Sequence, residues 1–394
     1  MKLPTKTRLA AFDAKAINDT IQRAFATAGL DSASGPLRDV SETIRRALES
    51  ASPMRTPARG KSAIVADMPM REVPSRGSAS SSRSGNSSTG RFESCEFRHE
   101  AGMLGYKVYI PVDSAPASPT SRPMIVMLHG CTQSADDFAA GTRMNRLADE
   151  HGFLVVYPEQ AQSANPSRCW NWFKPQDQER GMGEPAVIAG IVRQAAQQHG
   201  ADLRRIFVAG LSAGAAMAVV LGQTYPDLFA GVGAHSGLPY GSAHDVSSAL
   251  AAMKGGRSGM PGLRNPMGDE PTPRRKAVEA MPLIVFHGDR DHTVQASNSA
   301  KIVQQAEDAH IAQVGAAELQ VQTHKGVAPG GRRYSRTVHV DSHGQAWIES
   351  WTLHGAGHAW SGGDASGSYT DSTGPDASTE MLRFFLALPR AGSA

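Results

Sequence analysis

Residues 204–220 read RRIFVAGLSAGAAMAVV. An apolar run, RIFVAG, meets an alanine-rich segment at a single serine, Ser212, with Gly210 two residues before it and Gly214 two after. The run suits a strand buried on both faces, and the segment after it suits a helix. Ser212 then stands on a sharp strand-to-helix turn, where bulkier residues two positions either side would clash. Its hydroxyl is lifted above the sheet, beside the positive end of the helix. The G-x-S-x-G pattern is weak by itself, because 40 glycines in 394 residues can supply it by chance. The context around it has to decide.

Working outward, GYKVYIPV alternates as a strand, while MIVMLHG (124–130), FLVVYPE and MPLIVFHG are further buried strands. RMNRLADEHG, EPAVIAGIVRQAAQQHG (ending at Gly200), SAGAAMAVVLGQTYP and DASTEMLRFFLAL read as helices, the last capped by Asp376 or Ser378. SRTVHVDSHGQAWIESWTLHG predicts a hairpin turning at Ser342–Gly344, and a Gly- and Pro-rich insertion spans about 253–275. Buried strands alternating with helices predict an α/β fold with a mostly parallel sheet covered on both faces. Residues 1–50 carry helical spacing, 51–92 form a Ser/Gly/Arg-rich linker, and 93–394 hold the catalytic domain.

A net charge of +3, without a basic stripe interleaved with aromatics, speaks against nucleic-acid binding. The N-terminal stretch is interrupted by Lys6, Arg8, Asp13 and Lys15, so it does not read as a secretory leader, and no segment is apolar enough to span a bilayer. The expectation is a cytoplasmic protein. No paired metal-ligand spacing occurs, so no metal is expected.

A serine hydroxyl needs a base to become a nucleophile. Asp289 and Asp291 follow the strand MPLIVF, and His358 follows WIESWTLHG. The order serine, acid, histidine, each after a later strand, is the one that accompanies a G-x-S-x-G turn between strand and helix. His358 is the expected general base, with an aspartate holding its tautomer. Asp291 is preferred, since Asp289 lies nearer the strand end, where it would cap the loop. Oxyanion donors are expected at the N–H groups of Ala213, after the nucleophile, and Cys131, after the strand MIVM. His129 is expected to shape that loop. CWNWF supplies either core aromatics or a substrate groove, in which Trp170 and Trp172 would line the wall and Asn171 would bind a carbonyl; Trp360 is a further groove candidate.

Together, HGCTQSADDFAAGTRMNRLADEHGFLVVYPEQ, NPSRCWNWF, RGMGEPAVI, GLSAGAAMA, YPDLFAGVGAHSGLPYG, HGDRDHTV and GHAWSGG resemble the poly(3-hydroxybutyrate) depolymerase family of esterases, from about Ser94 to the C-terminus. The resemblance implies an α/β-hydrolase fold and a serine esterase mechanism without cofactor. It puts the triad on Ser212, Asp291 and His358, and the oxyanion donors on Cys131 and Ala213. Feruloyl and acetylxylan esterases share these motifs and are the alternative. The missing leader makes the chain similar to intracellular depolymerases, whose partner is a polyester granule or soluble hydroxyalkanoate oligomers; a granule-binding scaffold without activity is the non-enzymatic alternative. Cys131 and Cys169 belong to loops at one sheet edge. They would be bridged in a secreted relative, but free thiols are expected in a reducing cytoplasm.

Overall fold

The computed structural model describes residues 90–112, 122–256, 279–314 and 319–389. The helical segment expected at 1–50, nearly all of the 51–92 linker and most of the 253–275 insertion lie outside the described residues.

In chain order the elements are β1 (Arg91–His99), β2 (Gly102–Ile110), β3 (Arg122–Leu128), α1 (Ala135–Thr142), α2 (Met144–His151), β4 (Leu154–Glu159), α3 (Gly183–His199), β5 (Ala201–Leu211), α4 (Ala213–Thr224), β6 (Gly231–His235), α5 (Val246–Met253), β7 (Leu283–Gly288), α6 (Ser297–Val314), β8 (Gln320–Val327), β9 (Arg333–Val340), β10 (Ala346–Leu353), the two-residue strands β11 (Trp360–Ser361) and β12 (Thr370–Asp371), and α7 (Ala377–Ala387). The first ten strands form one sheet in the order β1-β2-β4-β3-β5-β6-β7-β10-β9-β8. Its middle, from β4 to β10, is parallel, and antiparallel pairs close both sides. The first described strand, β1, starts at Arg91, two residues before the boundary of 93 read from the sequence.

The burial pattern explains why the parallel strands read as unbroken apolar runs. In β3, Met124, Val126 and Leu128 face one core, shared with α3 and α4. Ile125 and Met127 face the other, shared with α1, α2 and α7. A strand covered on both faces has no side on which a polar residue could reach water. Gly200 closes α3 in the left-handed conformation, and Asp376 caps α7 by accepting from the Thr379 N–H. The hairpin of β9 and β10 turns where expected, with Asp341 accepting from the Gln345 and His343 N–H groups.

Three strands of the large sheet, β1, β6 and β8, are absent from the sequence reading. β6, with the sequence GVGAH, is too short and glycine-rich to show a strand signal. Its glycines are there for packing: a Cβ on Gly233 would come within 2.8 Å of Met381 Sδ and 2.9 Å of Ala209 Cβ. β8 is almost wholly exposed and polar, as an edge strand can be, and β1 is charged along its length. β9 was anticipated only as part of the hairpin, so β8 extends the sheet beyond it. The consequence for the site is direct. β5, β6, β7 and β10 are neighbours and parallel, so the loops leaving their carboxyl ends share one edge of the sheet.

Candidate active site

Ser212 joins β5 to α4 with φ 57° and ψ −120°, a left-handed region that a residue with a side chain occupies only under constraint. The constraint is visible. Its N–H donates to His235 O at 2.9 Å, and its carbonyl accepts from the Ala216 N–H at 2.9 Å. The serine hydroxyl does not cap the helix, although serine is a favoured capping residue, so it is not consumed by the fold. The flanking glycines leave no room: a Cβ on Gly210 would lie 2.5 Å from Gly214 C, and one on Gly214 would lie 2.1 Å from Leu128 O and 2.5 Å from His129 O. Gly214→Ala is expected to cost about 3 kcal/mol, the upper part of the overpacking range, because both obstructions are backbone. Gly357→Ala, where a Cβ meets nothing within 4 Å, should stay within about 0.5 kcal/mol. Urea unfolding compares the two, and equal stabilities would refute the steric account.

Asp291 lies in the loop after β7. His358 Nδ1–H donates to its Oδ2 at 2.6 Å, while the Thr293 and Val294 N–H groups donate to Oδ1 at 2.9 and 2.8 Å. Burial opposes the charge on Asp291, but the His287 and His358 donors and the Val294 N–H outweigh it, holding the carboxyl well below the usual carboxylate range. Pairing at Nδ1 makes Nε2 of His358 the nitrogen able to take a proton. Asp289 has a different job: it accepts from His354 Nδ1–H at 3.0 Å and from the Gly355 N–H at 2.7 Å, fastening the loop after β10.

The loop after β3 is held by its own polar groups. His129 donates from Nδ1 to Gly130 O at 2.7 Å and accepts at Nε2 from the Gln160 N–H at 3.1 Å. Burial lowers its pKa, so the ring stays neutral and able to accept. Gly130 N–H donates to Gln133 Oε1 at 2.9 Å, and Trp170 Nε1–H donates to His129 O at 3.1 Å. This is where Cys131 sits. Ala213, the first residue of α4, offers an N–H from the unpaired first turn of the helix.

The groove expected from the aromatic residues is corrected by their burial. Trp170 is 0% exposed, Asn171 4%, Trp172 6% and Trp360 1%. The indoles of Trp170 and Trp360 and the amide of Asn171 have partners inside: Trp170 Nε1–H on His129 O, Trp360 Nε1–H on Ser378 Oγ, and Asn171 on Glu184. Trp172 packs edge-on against Phe173. They brace the loops and present no face to a substrate. The expected free thiols are corrected too. Cys131 and Cys169 form a disulfide, brought together where the Thr132 N–H donates to Ser167 O at 2.7 Å.

Three residues of the site escaped the sequence reading. Glu184, in the first turn of α3, accepts from Gln160 Nε2 at 2.5 Å and from Asn171 N and Nδ2 at 2.8 and 2.5 Å. Burial, then the nearby Asp177, pushes its carboxyl up to about 7. It ties two loops to the one carrying His129. His235, at the end of β6, is wholly buried; burial and the neighbouring His287 and His358 lower its pKa to about 3. It is therefore neutral and accepts the Ser361 N–H at 3.1 Å. Tyr369 is 47% exposed, has φ 51°, and shares a hydrogen bond of 3.3 Å with Thr132 Oγ1, beside Cys131. Its carbonyl accepts the Trp360 N–H, two residues beyond His358. Among the described residues no three His, Cys, Asp or Glu side chains gather into a metal-binding group, and no helix is long and apolar enough to cross a membrane.

The fold is that of the α/β-hydrolases, and Ser212, Asp291 and His358 lie on loops leaving the carboxyl ends of its parallel strands β5, β7 and β10. The chain belongs to the Esterase PHB depolymerase family, whose profile matches residues 104–325. That span ends before β10, so the place of His358 rests on the geometry above. The chain is 32% identical over 247 residues to poly(3-hydroxyalkanoate) depolymerase C of Paucimonas lemoignei, covering 61% of this chain and 55% of that protein. It is also 32% identical over 158 residues to feruloyl esterase B of Thermothelomyces thermophilus, covering 40% and 52%. The chain thus spans about half the length of the curated relatives it matches. An acetyl xylan esterase from Aspergillus awamori shares the fold, with a TM-score of 0.52 at 20% identity over 72% of this chain and 94% of that one.

Proposed function

We propose that the chain is a carboxylic ester hydrolase acting on poly(3-hydroxybutyrate) or its oligomers through an acyl-enzyme. The observation that carries the reading is the His358–Asp291 hydrogen bond of 2.6 Å, on loops at the same sheet edge as the turn that holds Ser212 at φ 57°. Ser212 attacks the ester carbonyl and passes its proton to His358 Nε2. The anionic oxygen is received by the N–H groups of Ala213 and Cys131, each such donor being worth roughly 10²–10³ in rate. His358 then protonates the leaving hydroxyl and activates the water that clears the acyl group. No cofactor is needed. Tyr369 offers an exposed ring beside Thr132 and Cys131, against which the methyl branch of a hydroxybutyrate unit would pack.

The family membership and the Paucimonas depolymerase support the polyester; the feruloyl esterase relative supports a carbohydrate ester as the second reading. Association with polymer granules is part of the same proposal. The test compares the purified protein on amorphous polymer granules, soluble hydroxybutyrate oligomers, and feruloyl and acetyl esters of polysaccharide. At least tenfold higher kcat/KM on the hydroxybutyrate oligomers is expected; the reverse preference would overturn the substrate class while leaving the hydrolase.

A further inference from the structure

A second set of serine, histidine and aspartate lies outside the site already described. Ser335 on β9 is hydrogen-bonded to His354 Nε2 at 2.8 Å. His354, just after β10, donates from Nδ1 to Asp289 Oδ2 at 3.0 Å. The other carboxylate oxygen of Asp289 accepts the Gly355 N–H at 2.7 Å, which fixes its orientation. Each link uses the atom that general-base activation of a serine requires: carboxylate to Nδ1, Nε2 to the hydroxyl. The side chains of His354 and Asp289 are 36% and 39% exposed, so solvent and small reagents reach the relay.

We propose that Ser335 is a second reactive serine, activated by His354 and Asp289, that accepts acyl or phosphonyl groups from electrophiles with good leaving groups, such as aryl esters and fluorophosphonates. The limit to that class follows from the strand. Ser335 pairs with Thr352 on β10 and Lys325 on β8, so the main chain around it is committed to the sheet rather than turned toward a substrate oxygen. The relay supplies a base, commonly worth roughly 10²–10⁴ in rate, without the donors that stabilise a tetrahedral anion. An aryloxide or fluoride leaves without being protonated, so a base alone suffices for those reagents. With a fluorophosphonate, the Ser335 Oγ–P bond forms, the P–F bond breaks, fluoride departs, and the serine proton passes to His354 Nε2. With an aryl ester, the Oγ–C bond forms, the C–O bond to the aryl group breaks, the aryloxide departs as the anion, and the serine proton passes to His354 Nε2.

The full-length Ser212→Ala protein, treated with an alkyl fluorophosphonate and mapped by mass spectrometry of its peptides, tests this. One adduct at Ser335 is expected, forming at least tenfold faster than in Ser212→Ala/His354→Gln. Ser212→Ala/Asp289→Asn, which keeps the shape of the acid, should slow labelling in the same sense. No adduct at Ser335, or labelling equally fast without His354, overturns the proposal. Because adducts at Ser212 and Ser335 map to different peptides, the outcome is separable from the assignment of Ser212.

Discussion

Ser212→Ala is expected to lower kcat on hydroxybutyrate oligomers by roughly 10⁴–10⁶-fold, or about 5.5–8 kcal/mol of transition-state stabilisation. KM should change little. The substitution removes one oxygen from a residue whose position is set by its main chain, through His235 O and the Ala216 N–H, and by glycines on both sides. The hydroxyl caps nothing, so the fold does not lose a hydrogen bond with it. The loss should therefore be purely chemical: Ala213 and Cys131 would still receive the carbonyl, and His358 would still face water. The measurement must use an unactivated ester, since an aryl ester would also report acylation at Ser335. More than about 1% of wild-type kcat on the oligomers, with thermal stability unchanged, would remove Ser212 from the mechanism.

What the sequence made legible follows from how each residue is constrained. The strands β3 and β5 and the nucleophile turn were readable because burial on both faces and a clash-limited turn leave few residue choices. Asp291 and Asp289 were separable because Asp289 lies nearer the strand end, where it ties the Gly355 N–H, while Asp291 lies two residues further on, where it meets His358. The tryptophans of CWNWF stayed open between groove and core for a physical reason: a large aromatic with a polar handle suits either equally, and only the partner of the indole N–H decides. Trp170 and Trp360 found theirs inside. Glu184 looks like any acid in a first helical turn, and nothing in its sequence neighbourhood reveals that Gln160 and Asn171 converge on it. Ser335, His354 and Asp289 are joined only by the pairing of β9 and β10, a contact across strands that no local spacing encodes. Tyr369 was hidden for the same reason, its meaning lying in the loop that holds Thr132.

Asp291→Asn should reduce kcat by about 10⁴-fold while leaving the shape of the site intact. The surroundings of the side chain dictate which way the amide turns. Thr293 and Val294 both donate to Oδ1, so the amide oxygen must stay there and the NH₂ must take the place of Oδ2. Oδ2 is the atom that receives His358 Nδ1–H in the wild type. The amide instead donates to Nδ1, which then has to be unprotonated, and the ring proton moves to Nε2. A histidine protonated at Nε2 cannot take the proton of Ser212, so the base is lost without losing the hydrogen bond. The same substitution changes the acid limb of stability. The carboxyl of Asp291 is depressed in the fold, so it contributes stability that is full above its ordinary value of 3.8 and is lost as the pH falls below it. Asn has no such titration, so the variant should show a shallower decline in urea midpoint below about pH 4 than the wild type. Rates on hydroxybutyrate oligomers, together with urea midpoints at pH 3 and pH 7, measure both effects. Retention of more than a tenth of kcat would mean that another carboxylate, Asp289 being the nearest in sequence, orients His358.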